Sequence, residues 1–313
     1  MEVHGGSMDR SLSRVATLIV GGVATCALLA GCASSAPGAV VIGTPVKATP
    51  AGTPPSGNFL AGLQAAITNE LNLVNSTQSD SESPGVLIEL QALQSVPNLI
   101  RSEQFTSLQS VGGNQTAKRE KVVYALIADV QNNRYIAGVD INGSSLSRSL
   151  ISMLNGVSAQ LAGFGGQIAG AQMPDELRAA ILTMGNATRV YGLVEPMVHL
   201  ALAGGDVLAE VNQLAADEQS LAGRVAAGAA TDPNYAQETS RLRDLSVQIN
   251  NAREKANAAV SAVLSLTAAG FPGNRATIQS SRSVLTQLRS PFGTLSDANG
   301  DVSSITSLLG AGA

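Results

Sequence analysis

Residues 232–269 read DPNYAQETSRLRDLSVQINNAREKANAAVSAVLSLTAA, and this stretch decides the fold class. Leu242, Leu245, Ile249, Ala252, Ala256, Ala259, Val263 and Leu266 follow one another at spacings of three and four. Such spacing keeps the apolar groups on one side of a helix and lacks the alternation of a half-buried strand. Asp232-Pro233 sets a capping side chain beside a proline suited to a first helical turn. One long helix is therefore predicted from Asp232 to about Ala269. Upstream, Val207, Val211, Leu214, Leu221 and Val225 repeat the pattern, with Glu218 in the seam and Asp206, after Gly204-Gly205, as the expected N-cap. The short connection at 228–231 folds the two into an antiparallel hairpin, about 206–269.

Working outward, the most regular seam is Leu150, Leu154, Val157, Leu161, Phe164, Ile168 and Ala171. Gly156, Gly163 and Gly170 recur beside it at intervals of seven. Each glycine costs a helix about 1 kcal/mol relative to alanine, so close approach of a neighbouring helix is expected there. Met173-Pro174-Asp175 ends the segment. Leu177, Ile181 and Met184 open the next helix, expected to break near Gly185 and to kink at Pro196. No charge occurs between Arg148 and Asp175 or between Lys255 and Arg275. We expect these runs to be central helices buried on several sides; the alternative is a membrane-active hairpin.

Toward the N-terminus, Leu60, Leu63, Ile67, Leu71 and Val74 share one helix face. A polar break to Pro84 follows, then helices at 86–95 and 99–111 separated at Pro97. Gly112-Gly113-Asn114 is expected as a loop. Val122, Val123, Leu126, Ile127 and Val130 form a further helix that fades near Asp140-Ile141-Asn142-Gly143. Past the hairpin, Phe271-Pro272-Gly273-Asn274 turns the chain into a helix through Leu288, and Ser290-Pro291 opens a broken terminal segment. The fold class is all-α, a multi-helix antiparallel bundle over 58–313.

Composition agrees with that. Hydrophobic residues make up 44% and aromatics only 3%, with no tryptophan, so alanine, leucine and valine must build the core. These suit closely packed helices better than a β-sandwich. The net charge of −4 and the lack of a basic face argue against nucleic acid. Lys118-Arg119-Glu120-Lys121 reads as a solvated helix end.

Residues able to do chemistry are few. His4 lies near the start, which leaves His199 in the body of the chain. Glu195 precedes it by four residues. Di-iron bundles use Glu-x-x-His twice; here the spacing differs and a second histidine is missing, so no metal site is predicted. Asp297, Asn299, Asp301 and Ser303 alternate as in a calcium loop, but Gly300 holds the fourth position rather than the sixth. Leu308 stands where the bidentate glutamate belongs. We expect a turn with a helix cap. No Gly-x-Ser-x-Gly elbow, phosphate loop or dinucleotide fingerprint occurs, and no catalytic residue or cofactor is assigned. A pair of carboxylates, as in glycoside hydrolysis, remains the enzyme alternative. The Asn-x-Ser/Thr triplets at Asn75, Asn114, Asn142 and Asn186 are taken as coincidental.

The N-terminal segment carries an address. Arg10 and Arg14 precede an apolar run from Val15, which closes on Leu29-Ala30-Gly31-Cys32. A basic start, an apolar core and a small-residue end make an export signal, and Met8 is its tidier start. The tetrapeptide resembles the lipobox of bacterial lipoproteins. That resemblance, confined to residues 10–34, implies lipid on the Cys32 thiol and cleavage between Gly31 and Cys32. The domain plan is then a signal peptide over 1–31, a lipidated tether over 32–57 and the helical body. Cys26 leaves with the signal, so the mature chain has no free thiol for a disulfide, a metal or catalysis. Removing Glu2, Asp9, Arg10 and Arg14 leaves the net charge unchanged. Pro37, Pro45, Pro50, Pro54 and Pro55, without hydrophobic periodicity, predict a disordered tether of about 25–30 Å as a coil and up to about 75 Å extended. Ala33 and Ser34, with no aspartate after Cys32, resemble the outer-membrane default of two-membrane bacteria. In one-membrane bacteria they imply the outer leaflet. The expected partners are the membrane, through the Cys32 lipid, and an envelope protein.

Overall fold

The computed structural model describes residues 57–76, 98–229 and 231–311. The expected signal, Gly31, Cys32, the tether and the helix at 86–95 lie outside the described residues. What is described is all-α apart from one two-residue β-hairpin.

The helices are α1 (Gly57–Ser76), α2 (Asn98–Asn132), α3 (Leu146–Gly170), α4 (Pro174–Thr188), α5 (Glu195–Gly228), α6 (Tyr235–Leu264), α7 (Asn274–Leu288) and α8 (Thr294–Ala311). Between α2 and α3, β1 (Asp140–Ile141) pairs antiparallel with β2 (Ser144–Ser145). Asn142 and Gly143 form the tight turn with φ of 52° and 79°, the left-handed pair that such a two-residue loop requires.

The hairpin is present as α5 and α6, and α5 is the axis of the molecule. α6 and α1 run along it, and α7, α8 and α2 touch it from other sides. A second group, α2–α3–α4, packs in chain order. The predicted stripes are where the core is. Leu63, Ile67, Leu71 and Val74 of α1 are buried, as are Leu245, Ile249, Ala252, Ala256, Ala259 and Val263 of α6. Leu150, Leu154, Leu161, Ile168 and Ala171 bury the α3 seam.

Several local expectations are overturned. Asp206 is no N-cap: it lies inside α5 with no exposed surface, because Met197–Val211 supply enough apolar burial to carry the helix through Gly204-Gly205. Those glycines are where close approach occurs. A Cβ on Gly204 would overlap Val260 of α6, and one on Gly205 would lie 2.6 Å from both Ile136 and Leu146. Gly156, Gly163 and Gly170 do the opposite, since nothing lies within 4 Å of a Cβ built on any of them. The charge-free stretch of α3 after Arg148 is thus buried along one stripe only, with Asn155, Gln160, Gly163 and Gln167 exposed.

Gly112-Gly113-Asn114 is not a loop. It sits inside the 35-residue α2, where Gly112 fits under Ile168 and Ile181. The break after α4 falls at Arg189, with φ of 43°, and not at Gly185. A π-helical turn over Val190–Val194 leads directly into α5, which has Pro196 in its first turn. Asp232 caps a turn by accepting from Asn234 N at 2.7 Å, so α6 begins three residues later than predicted and ends at Leu264. The terminal segment is one unbroken helix, α8. Within Pro174–Gly228 lies a window long and apolar enough to cross a membrane, but 83% of it is buried in the bundle.

Candidate functional site

The axis helix carries the polar groups. Glu195, His199, Asp206 and Glu210 are spaced four, seven and four apart along α5, which keeps them on one helix face. Because α5 is buried, its neighbours must satisfy these groups.

His199, 4% exposed, brings Nδ1 to 2.6 Å from Glu70 Oε2 on α1. A satisfied or exposed histidine is what the sequence suggests at this position, and the imidazole is buried and satisfied by a carboxylate from another helix. Two turns along, Asp206 Oδ1 accepts from Asn133 Nδ2 at 2.9 Å. Its Oδ2 is buried and has no hydrogen-bond partner among the described residues. Desolvation raises the Asp206 carboxyl to about 7, with the Glu70 charge adding to the rise and Asn133 and Arg289 opposing it. Asp129, one turn before Asn133 on α2, is also raised, first by burial and then by Glu70, against the pull of His199. The Glu70 charge therefore acts on two further carboxylates, Asp129 and Asp206, while it is itself paired with His199. Among the described residues no group of three or more His, Cys, Asp or Glu is placed to hold a metal ion.

A second polar group follows one turn on. Glu210, 1% exposed, lies 3.4 Å from Arg289 Nη1 through Oε2. It accepts from Asn299 Nδ2 at 3.1 Å through Oε1. Burial pushes its carboxyl up, while Arg289 and Asn299 pull it down. Arg289 is supplied by the residue that ends α7 and Asn299 by the second turn of α8, so three helices converge. Beside them opens a cleft of about 260 Å³ whose lining includes Gln64, Glu210, Arg289, Ser290, Ser296 and Asn299.

The calcium-like residues do not form a turn. Asp297, Asn299, Asp301 and Ser303 all lie inside α8, where alternate side chains diverge by about 200° and cannot converge on an ion. Asn299 serves Glu210, and Asp301 accepts from Arg241 at 2.9 Å and Gln248 at 3.1 Å. The triplets at Asn114 and Asn186 end in Thr116 and Thr188, whose hydroxyls are buried and bonded to helix carbonyls.

Sequence reasoning picked out Glu195 and His199, named Asp206 only as a cap and Asn299 only within a calcium-like alternation, and missed Glu70, Asp129, Asn133, Glu210 and Arg289. One signal was available: Asp206 and Glu210 interrupt an otherwise apolar run of α5, where a charge is tolerated only with a partner. The groups that hold these two come from 73 to 89 residues away in sequence and have no local signature.

The site and its frame define a class, an all-α bundle with a polar axis. Comparison with protein-family models, with characterised proteins and with solved structures finds no match.

Proposed function

We propose that this chain is a lipid-anchored protein of the bacterial cell envelope whose helical body acts by binding or scaffolding. The observation that carries the anchor is Leu29-Ala30-Gly31-Cys32, closing an apolar run behind Arg10 and Arg14. Support for a binding body comes from how its acids are used. Glu70 holds His199, Asn133 holds Asp206, and Arg289 with Asn299 holds Glu210. These carboxylates are engaged by protein partners, unlike a hydrolase pair that converges on a substrate cleft.

Fractionation tests the anchor. The full chain expressed in a bacterium should sediment with membranes and incorporate a labelled fatty acid, and Cys32→Ala should abolish the labelling. Labelling that persists in Cys32→Ala would overturn the assignment. A membrane-active alternative draws on one specific observation, the solvent-facing side of α3 beyond Arg148, which carries no charge. Release of dye from liposomes by the full chain would favour it.

A further inference from the structure

We propose that the cleft bounded by α1, α5 and the α7–α8 turn binds a small oxyanion, a carboxylate or phosphate group, through Arg289 and the first turn of α8. This deepens the binding reading above by naming a site and a ligand class. The cleft is about 260 Å³, smaller than most drug-sized pockets, and suits a small anion or the charged end of a larger ligand.

The one cation among its lining residues is Arg289, beside the Glu210 carboxylate. The Arg289 side chain is 15% exposed and touches Glu210 through Nη1 alone, at a long 3.4 Å. A guanidinium carries five N–H donors in a planar fork, and those beyond Nη1 have no partner among the described residues. Glu210 is already engaged at both oxygens and is 1% exposed. Its part is to hold the guanidinium at Nη1, which leaves the remaining N–H groups for a ligand.

The α8 end adds to this. Its first backbone bond runs from Asp297 N to Gly293 O at 3.1 Å. The N–H groups of Thr294, Leu295 and Ser296 precede that bond and have no intrahelical acceptor, and the helix dipole favours negative charge there. The turn that joins the two donors is fixed: a Cβ on Gly293 would overlap the carbonyl oxygens of Gln287 and Leu288. Ser290 and Ser296 bring hydroxyls to the same cleft. Phe292, 95% exposed and two residues past Ser290, offers an apolar contact for whatever carries the anion.

The test follows the thermal midpoint of the full chain in detergent micelles while inorganic phosphate or acetate replaces chloride at constant ionic strength. A midpoint that rises with either probe and saturates is expected, as for any ligand that binds the folded state. Arg289→Gln should raise the half-saturating concentration about tenfold or more, the loss of a charge-assisted contact. Because Arg289 also supports Glu210, Ser296→Glu is the second variant: the site is exposed, the carboxylate suits a helix start, and it would occupy the cleft itself. It should remain folded and lose the response. Ser303→Glu, exposed on the same helix but away from the cleft, should respond as the parent does. A response to phosphate alone, acetate alone or both supports the site and names its group. No response to either probe up to about 100 mM, or an unchanged response in Ser296→Glu, overturns it. Neither result bears on the Cys32→Ala fractionation, so the two proposals fail separately.

Discussion

Helices α3 and α5 invert what their sequences suggest. α3 has one charged residue, Arg148, yet it lies at the edge and buries a single stripe. α5 contains Glu195, His199, Asp206 and Glu210, yet residues 196–208 are buried without a break. Absence of charge did not mark the interior. Exposed positions of α3 are filled by glycine, alanine, serine, asparagine and glutamine, which water tolerates, and only its seam is strongly apolar. The first half of α5 is apolar nearly all round, so it is surrounded, and His199, Asp206 and Glu210 within it are each matched by a group from elsewhere in the chain.

That contrast can be broken at its charged end first. Asp206 has its folded-state carboxyl raised to about 7 from an ordinary 3.8. The folded protein therefore holds this proton while the unfolded chain has lost it. The associated stability is fully present below about pH 4, falls as pH rises, and is gone above about pH 7. The span is at most about 4 kcal/mol. Asp206→Asn retains an acceptor for Asn133 and removes the titration, so its stability advantage over the parent should grow from pH 4 to pH 7 and then level off. Urea unfolding across that range measures it; parallel curves for the two proteins would refute the buried, unpartnered carboxylate.

Next comes the close approach at the middle of α5. Gly204→Val would drive two methyl groups into Val260, and overpacking with a branched residue should cost about 3 kcal/mol, read as a lower urea midpoint at unchanged slope. A neutral result would mean that α5 and α6 are not held as close as described. Smaller again is the Glu70–His199 pair. Glu70→Gln removes the charge but not the shape, and should cost about 1–2 kcal/mol. The double variant with His199→Gln should cost less than the sum of the singles; additive losses would show the two side chains to be uncoupled.

The smallest effect has the opposite sign. Gly163 faces open space on α3, so Gly163→Ala should stabilise by up to about 1 kcal/mol through helix propensity alone. A destabilisation would show that something covers this face in solution. The comparison between Gly163 and Gly204 would then need redrawing, since the two glycines would share one role.

Helix identity and inward faces were legible without the structure. The seams of α1, α3, α5 and α6 were read correctly because apolar spacing reports a local property, which side of a helix is sticky. Boundaries failed where local punctuation met strong burial. Gly112-Gly113 and Gly204-Gly205 look like breaks, and a glycine pair does cost a helix about 2 kcal/mol. Burial of Leu108 and Val123 around the first pair, and of Leu200, Leu202 and Val207 around the second, outweighs that at roughly 1.5–3 kcal/mol per large side chain.

By itself, then, the sequence determined an all-α body, its core stripes and the scarcity of reactive groups. These follow from composition and from periods of three and four, which need no neighbour to be read. Only the tertiary structure decided which helix is the axis, which glycines are contacts, and that Glu70 meets His199 or Arg289 meets Glu210. Those pairs join residues 129 and 79 positions apart. A side chain's partner across such a distance is fixed by how helices pack, and the spacing within any one helix holds no record of it.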